Sequence, residues 1–168
     1  MTAPDETALP PLDHEAARRM WAEYVAAHPE HRDDRPPSEA FGDSPALADE
    51  LLALVLHGPK RATAAAVAEF RHEGEPLPRI GGHWVVHDGS GAPRAVLRSI
   101  ELRIGPLDSV DDAFAWDEGE GDRTREPWLR EHRRYFERTL PRVGTEVDDS
   151  LEVVFERFRV VWPPDVAD

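Results

Sequence analysis

The sequence predicts an α+β domain in which helices lie outside a small, mostly antiparallel sheet. Three observations predict it. Segments of helical period with recognisable caps run as far as Glu73. After Pro78 the texture changes to short alternating runs rich in Val and Ile. A further helical stretch then leads to a last strand-like run at residues 151–162.

The elements follow in order. Residues 1–12 are acidic and Pro-rich and read as a disordered tail. A first helix is expected at about 13–27, capped by Asp13, with Met20, Trp21, Tyr24 and Val25 as its apolar stripe and Pro29 as its stop. Residues 29–41 read as a polar linker, so 13–40 form a helix-and-linker unit ahead of a main domain at 41–162, with 163–168 as a tail. A second helix has Ser44 at its N-cap and Pro45 at its first position, where the missing N–H costs nothing. Leu47, Leu51, Leu54 and Val55 make its buried stripe, and Gly58 is expected to supply a left-handed C-terminal residue before Pro59. Alanine dominates 63–73, which predicts another helix.

His83–His87 reads as a strand, 88–91 (DGSG) as a turn and 94–104 as a long second strand with Val96, Ile100, Leu102 and Ile104 on one face. A short helix near 109–116 leads into the loop DEGEGD. Another at about 124–140 sets Leu129, His132, Phe136 and Leu140 on one side. Three clear strands cannot close a barrel, so further short strands are expected near Gly81 and around Pro106. No internal repeat is visible.

Composition narrows the function classes. The chain of 168 residues is 40% hydrophobic and 32% charged, a globular balance. It has no apolar run long enough to span a membrane, so no membrane partner is expected. The N-terminus lacks the basic and apolar regions of a signal peptide, and there are no cysteines. Both fit a reducing compartment, and the expected location is cytoplasmic. A net charge of −14 argues against non-specific nucleic-acid binding. The acids concentrate in 1–50, however, while 57–104 and 123–142 are mildly basic. A local basic face and ordinary surface arginines are both open.

Two constellations carry possible chemistry. In GPKRAT (58–63) a helix end delivers Lys60 and Thr63, which would share a face if a helical turn forms there. A desolvated lysine can serve as base for a threonine hydroxyl; the ordinary reading is a surface lysine beside a capping threonine. In DEGEGD (117–122) four carboxylates surround two glycines. One could act as general acid, together they could hold a hard cation, and the ordinary reading is a solvated loop. His83 with His87, and His28 with His31, could each bind a metal. With no cysteine and no HExxH, however, the expectation is no metal and no cofactor. His132, on an apolar helix face, reads as a hydrogen-bonded core or boundary residue. No GxSxG elbow or GxGxxG fingerprint is present.

Taken together, FGDSPALADELLALVLHGPKRATA, EGEPLPRIG, RAVLRSIELRI and GPLDSVDDAFAWDEGEGDRTREPWLREH resemble the ASCH domain family in order and spacing, from about Phe41 to Val161. The first forty residues resemble the N-terminal helix of its longer members. The resemblance implies a small PUA-like β-barrel flanked by helices around a cleft, with RNA or a nucleoside as ligand. Some small members are amidohydrolases that deacetylate N4-acetylcytidine, and at least one longer member is described as a ribonuclease. Aligned on Leu107 and Asp108, the amidohydrolase catalytic set falls on Lys60, Thr63 and Glu118. By that analogy Lys60 takes the proton of Thr63, whose oxygen attacks the acyl carbonyl, and Glu118 positions or protonates the leaving amine. Two positions depart from those enzymes: Ala65 replaces an arginine, and Pro59 replaces a basic residue before the lysine.

Three functions compete. A hydrolase of an acylated nucleoside predicts a narrow pocket holding Lys60, Thr63 and Glu118. An RNA-binding module, with or without ribonuclease activity, predicts an open groove along which Lys60 and Arg61 join arginines such as Arg98, Arg123 and Arg125, with Trp84 or Trp128 to stack on bases. A non-catalytic sensor of a modified nucleotide is the third. The acidic balance leans toward the pocket.

Overall fold

The computed structural model describes residues 7–168, so residues 1–6 of the expected tail lie outside the described residues. The described elements in chain order are α1 (His14–Ala27), β1 (Ser38–Ala40), α2 (Pro45–His57), β2 (Ala62–Ala66), α3 (Val67–Glu73), β3 (His83–His87), β4 (Pro93–Pro106), α4 (Asp112–Glu118), α5 (Arg125–Thr139) and β5 (Glu152–Trp162). The strands form a five-stranded sheet in the order β1-β3-β4-β5-β2. It is mixed: β1 pairs with β3 in parallel, whereas β3–β4 and β2–β5 are antiparallel. No described helix is long and apolar enough to cross a membrane. The chain divides into two compact units, and β4 and β5 run from one into the other.

The first unit holds the residues up to 57, 82–98 and 159–168. Asp13 caps α1 by accepting from the Ala16 amide at 2.9 Å. The apolar stripe of α1 buries Ala17 and Tyr24 with Val85 and Val96, flanked by Met20, Trp21, Val25, Val161 and Trp162. Ser44 caps α2 through the Leu47 amide, and α2 buries Ala48, Leu51, Leu52 and Val55, while Leu47 and Leu54 are half-buried. The linker is not wholly irregular. Residues 38–40 form β1, in register with Val85–His87, which a three-residue polar segment does not announce. His83–His87 pairs with β4 from Arg98 back to Pro93, with a bulge at Val86 and His87.

The second unit holds residues 58–81 and 99–158. Here the expected helix over 63–73 splits. Residues Ala62–Ala66 are strand β2, laddered against Val153–Arg157 of β5, and only Val67–Glu73 is helical. Alanine's helix preference is worth a few tenths of a kcal/mol per residue, and a five-residue ladder overrides it. Ala62, Ala64 and Ala66 face a core of Leu107, Val110, Phe114, Trp128, Leu129, Phe136, Leu140, Val153 and Phe155. Their small side chains let α4 and α5 pack close to the strand.

Three local expectations are corrected. Positive φ occurs at Gly42, Gly74 and Gly119 among others, but not at Gly58, so α2 stops at His57 without a left-handed cap. On β4, Ala95, Val96 and Leu97 are all buried, and farther along Ser99 is buried while Ile100 and Ile104 are exposed. The single apolar face predicted for this strand therefore ends at Val96. Finally, the extra strands are β1 and β2. Gly81 lies in a turn whose amide donates to the Ser99 carbonyl at 2.7 Å, and Pro106 is the end of β4 itself.

Candidate active site

The segment leading out of Gly58 enters β2 as extended chain, and three backbone contacts fix Lys60 in it. The Arg61 amide donates to the Asp117 carbonyl at 2.8 Å, and the Arg61 carbonyl accepts from the Phe158 amide at 3.0 Å. Gly119 ends α4 with φ of 73° and lies against Lys60: a Cβ there would sit 2.8 Å from the Lys60 nitrogen. Only glycine combines that conformation with that approach.

Lys60 is 1% exposed, among the most buried large side chains. Its ammonium donates to the Ala62 carbonyl at 2.9 Å and to Glu120 Oε2 at 2.8 Å, and Glu118 Oε1 lies 3.8 Å away. Glu118 is equally buried. Its Oε2 accepts from the Trp128 indole at 2.6 Å, and its Oε1 lies 2.7 Å from His132 Nε2. The other ring nitrogen of His132 lies 2.9 Å from the Trp128 carbonyl, and the two rings stack with centroids 3.7 Å apart. A carbonyl and a carboxylate can only accept, so both ring nitrogens must donate. His132 is an imidazolium.

The acidities follow from this geometry. Burial opposes the charge on Glu118, but His132 and Lys60 outweigh it and hold the carboxyl well below the usual range. Burial also opposes the charge on His132, and the Glu118 carboxylate overcomes it, raising the imidazole pKa. Glu120 goes the other way. Burial and the adjacent Glu118 charge push it up to about 7, against the pull of Lys60. Two neighbouring carboxyl groups are thus driven apart, one fixed as an anion and the other poised to exchange a proton near neutrality. Glu118, Glu120 and His132 bring ligand atoms within 4.8 Å of one another. The Lys60 ammonium already supplies the cation there, and His132 has both nitrogens occupied as donors.

Thr63 lies on β2, not on a helical turn, so the expected shared face at i, i+3 does not form. It stands opposite Glu156 of β5, on the side of the strand away from Ala62 and Ala64. Glu156 is buried and accepts from the Ser99 hydroxyl. The structure therefore brings Lys60 and Glu118 together with Glu120, His132 and Trp128, and sets Thr63 on the strand that Lys60 leads into.

The remaining candidates sit as follows. Arg61 is half-buried and donates to the Lys60 carbonyl at 2.7 Å. Arg98, on β4, pairs in register with His83. Arg123 lays its guanidinium over the exposed Trp116 ring at 3.7 Å. Arg125 is tied to the Val110 and Asp108 carbonyls at 2.7 and 2.6 Å. Trp84 is buried edge-on against Phe41, and Trp128 is buried against His132, so neither presents a face for stacking. DEGEGD is no solvated loop: Asp117 binds Arg157 at 2.7 Å, Glu118 and Glu120 hold Lys60, and Asp122 accepts from Thr124. Sequence reasoning singled out neither Glu120 nor the charge on His132. The signals were the second acid of EGEGD and the Trp128–His132 spacing of one helical turn.

Comparison with known proteins agrees with this architecture. The family model described as the ASCH domain matches residues 38–162. The crystal structure of protein EF3133 from Enterococcus faecalis, assigned to the family model DUF984, is 29% identical over 88% of each chain, with a TM-score of 0.77. That of an ASCH domain from Lactobacillus crispatus is 25% identical over 89% of this chain and 96% of that one, with a TM-score of 0.79. No curated protein matches the chain. With the family model covering most of its length, this chain belongs to the ASCH domain family.

Proposed function

We propose that the Lys60 cluster is the catalytic centre of a cytoplasmic hydrolase, built on a PUA-like barrel, that cleaves an acylated nucleoside such as N4-acetylcytidine or a similar amide. One observation carries this reading. A fully buried lysine is paired with two carboxyl groups whose acidities are driven apart, an arrangement suited to moving protons near neutral pH.

In the reaction, Lys60 passes its proton to the Glu120 carboxylate and, as a free amine, takes the proton of Thr63. The Thr63 oxygen bonds to the acyl carbon as the C–N bond breaks, and Glu120 gives its proton to the departing amine. Water then attacks the acyl-threonine as Glu120 takes its proton, the C–O bond to Thr63 breaks as the Lys60 ammonium protonates the threonine oxygen, and Glu120 returns its proton to Lys60. Glu118, locked as an anion by Trp128 and His132, holds the lysine in place and does not exchange protons. This moves the proton-donating role from Glu118 to Glu120.

An RNA groove would need open arginines and tryptophan faces, and the burial of Trp84 and Trp128 and the backbone ties of Arg125 weigh against it. The test is release of cytidine from N4-acetylcytidine by the purified protein. Thr63→Ala, at a half-buried strand position, should abolish release with the fold intact. Undiminished turnover in that variant would exclude the threonine mechanism.

A further inference from the structure

A second cluster, in the first unit, has the chemistry of a metal site. His31 ends a short 3-10 turn at Pro29–His31, Asp34 follows it in the linker, and His83 opens β3. His31 Nδ1 lies 3.2 Å from Asp34 Oδ2, and His83 Nδ1 lies 3.8 Å from the same oxygen. One ligand atom from each of the three residues falls within 4.8 Å of the others. A zinc ion with bonds of about 2.0–2.1 Å in tetrahedral geometry separates its ligand atoms by roughly 3.4 Å. The two distances to Asp34, 3.2 and 3.8 Å, already bracket that separation, and the two histidine nitrogens lie no more than 4.8 Å apart.

The surroundings favour the same assignment. A ligating histidine is normally oriented by a partner on its other ring nitrogen. His83 has one, its Nε2 meeting the Tyr24 hydroxyl at 3.0 Å, while His31 Nε2 lies 3.8 Å from Glu30 Oε1, beyond hydrogen-bond distance. In both rings Nδ1 is the atom that turns toward Asp34. Trp21 packs edge-on against His83 at 5.2 Å, and Tyr24 lies parallel to His31 at 6.0 Å, which limits the motion of both rings. The His83 side chain is fully buried while that of Asp34 is 32% exposed, so solvent could complete the coordination on the aspartate side.

The geometry points to a divalent-cation site formed by His31, Asp34 and His83. Two imidazoles and one carboxylate suit zinc and its neighbours among the transition metals, not magnesium or calcium, which demand oxygen. Neither sequence pair is this site. One histidine comes from each, while His28 packs tilted against Tyr24 with ring centroids 4.5 Å apart and His87 bonds the Gly91 carbonyl at 2.9 Å. A bound ion would fasten the linker after α1 to the start of β3.

The test is calorimetric titration of the untagged, chelator-treated full chain with zinc sulfate, alongside thermal melts with and without zinc. The expected result is one tight equivalent and a zinc-dependent rise in melting temperature. His31→Ala and Asp34→Asn, both at partly exposed positions, should each remove that equivalent, and Tyr24→Phe should weaken it about 10-fold. Glu120→Gln, in the Lys60 cluster, should leave it unchanged. The assignment is overturned if the wild type takes up no tight equivalent, if both linker variants retain it, or if Glu120→Gln alone removes it.

Discussion

Replacing Glu118 by Gln tests the electrostatics of the Lys60 cluster most directly. The substitution keeps the shape and removes one charge from a site that is 1% exposed. Both oxygens of Glu118 face N–H donors, Trp128 Nε1 at 2.6 Å and His132 Nε2 at 2.7 Å. The glutamine amide offers only one acceptor, so its NH2 must confront one of those donors. The indole cannot give up its proton, but the imidazole can. His132 is therefore expected to become neutral, keeping Nδ1–H on the Trp128 carbonyl and turning Nε2 into an acceptor.

Breaking a buried charge pair costs about 3–5 kcal/mol. Because His132 can discharge and Lys60 keeps Glu120, the lower end, about 3 kcal/mol, is expected, or about 6–12 °C in melting temperature for a domain of this size. The sign with pH follows from the raised His132 pKa. The stability it contributes is fully present below the unfolded value of about 6.5 and is lost as pH rises through the folded value. The variant should accordingly lose more stability near pH 6 than near pH 9, at about those values. Urea denaturation at both pH values, with an NMR titration of His132, measures this. A loss below about 1 kcal/mol near pH 6, or an unchanged His132 titration, would refute the reasoning.

Gly119→Ala should cost about 2 kcal/mol, because φ is positive and the added Cβ meets Lys60 backbone rather than a side chain that can move; thermal melts against wild type would show it. The rate of amide cleavage should rise with pH through about 7, since the cycle starts from ionised Glu120. Glu120→Gln should lose that limb of the kcat/KM profile along with at least about 100-fold in rate. A profile unchanged in Glu120→Gln would assign the proton transfers to another group.

What the sequence discloses is mostly what is local. Asp13 and Ser44 mark helix starts because a cap is decided within four residues. His83–His87 and 94–104 are legible as strands because their alternation is internal. The Ala-rich run at 62–66 is misread because its strand state depends on a partner, residues 153–157, far along the chain. β1 is missed for the same reason, its ladder among the described residues being with β3. In the candidate site, Lys60 and Glu118 stand out through the GPKRAT and DEGEGD segments. The imidazolium of His132 is invisible in sequence, since it exists only because α5 holds both ring nitrogens against acceptors. The convergence of His31 with His83 is equally a product of folding.

The joint between Lys60 and the end of α4 also has a consequence in time. The Arg61 amide is bonded to Asp117, Gly119 is pressed on the Lys60 backbone, and the ammonium is bonded to Glu120, so the two segments are joined at three successive points. None of these can part far while the others hold. Residues 60–62 and 117–120 should therefore open as one cooperative unit, with the Arg61 amide exchanging its hydrogen at the slow rate of that joint opening rather than of a loop. For a substrate, this makes the lysine a fixture that chemistry must come to, rather than an arm that swings out to meet it.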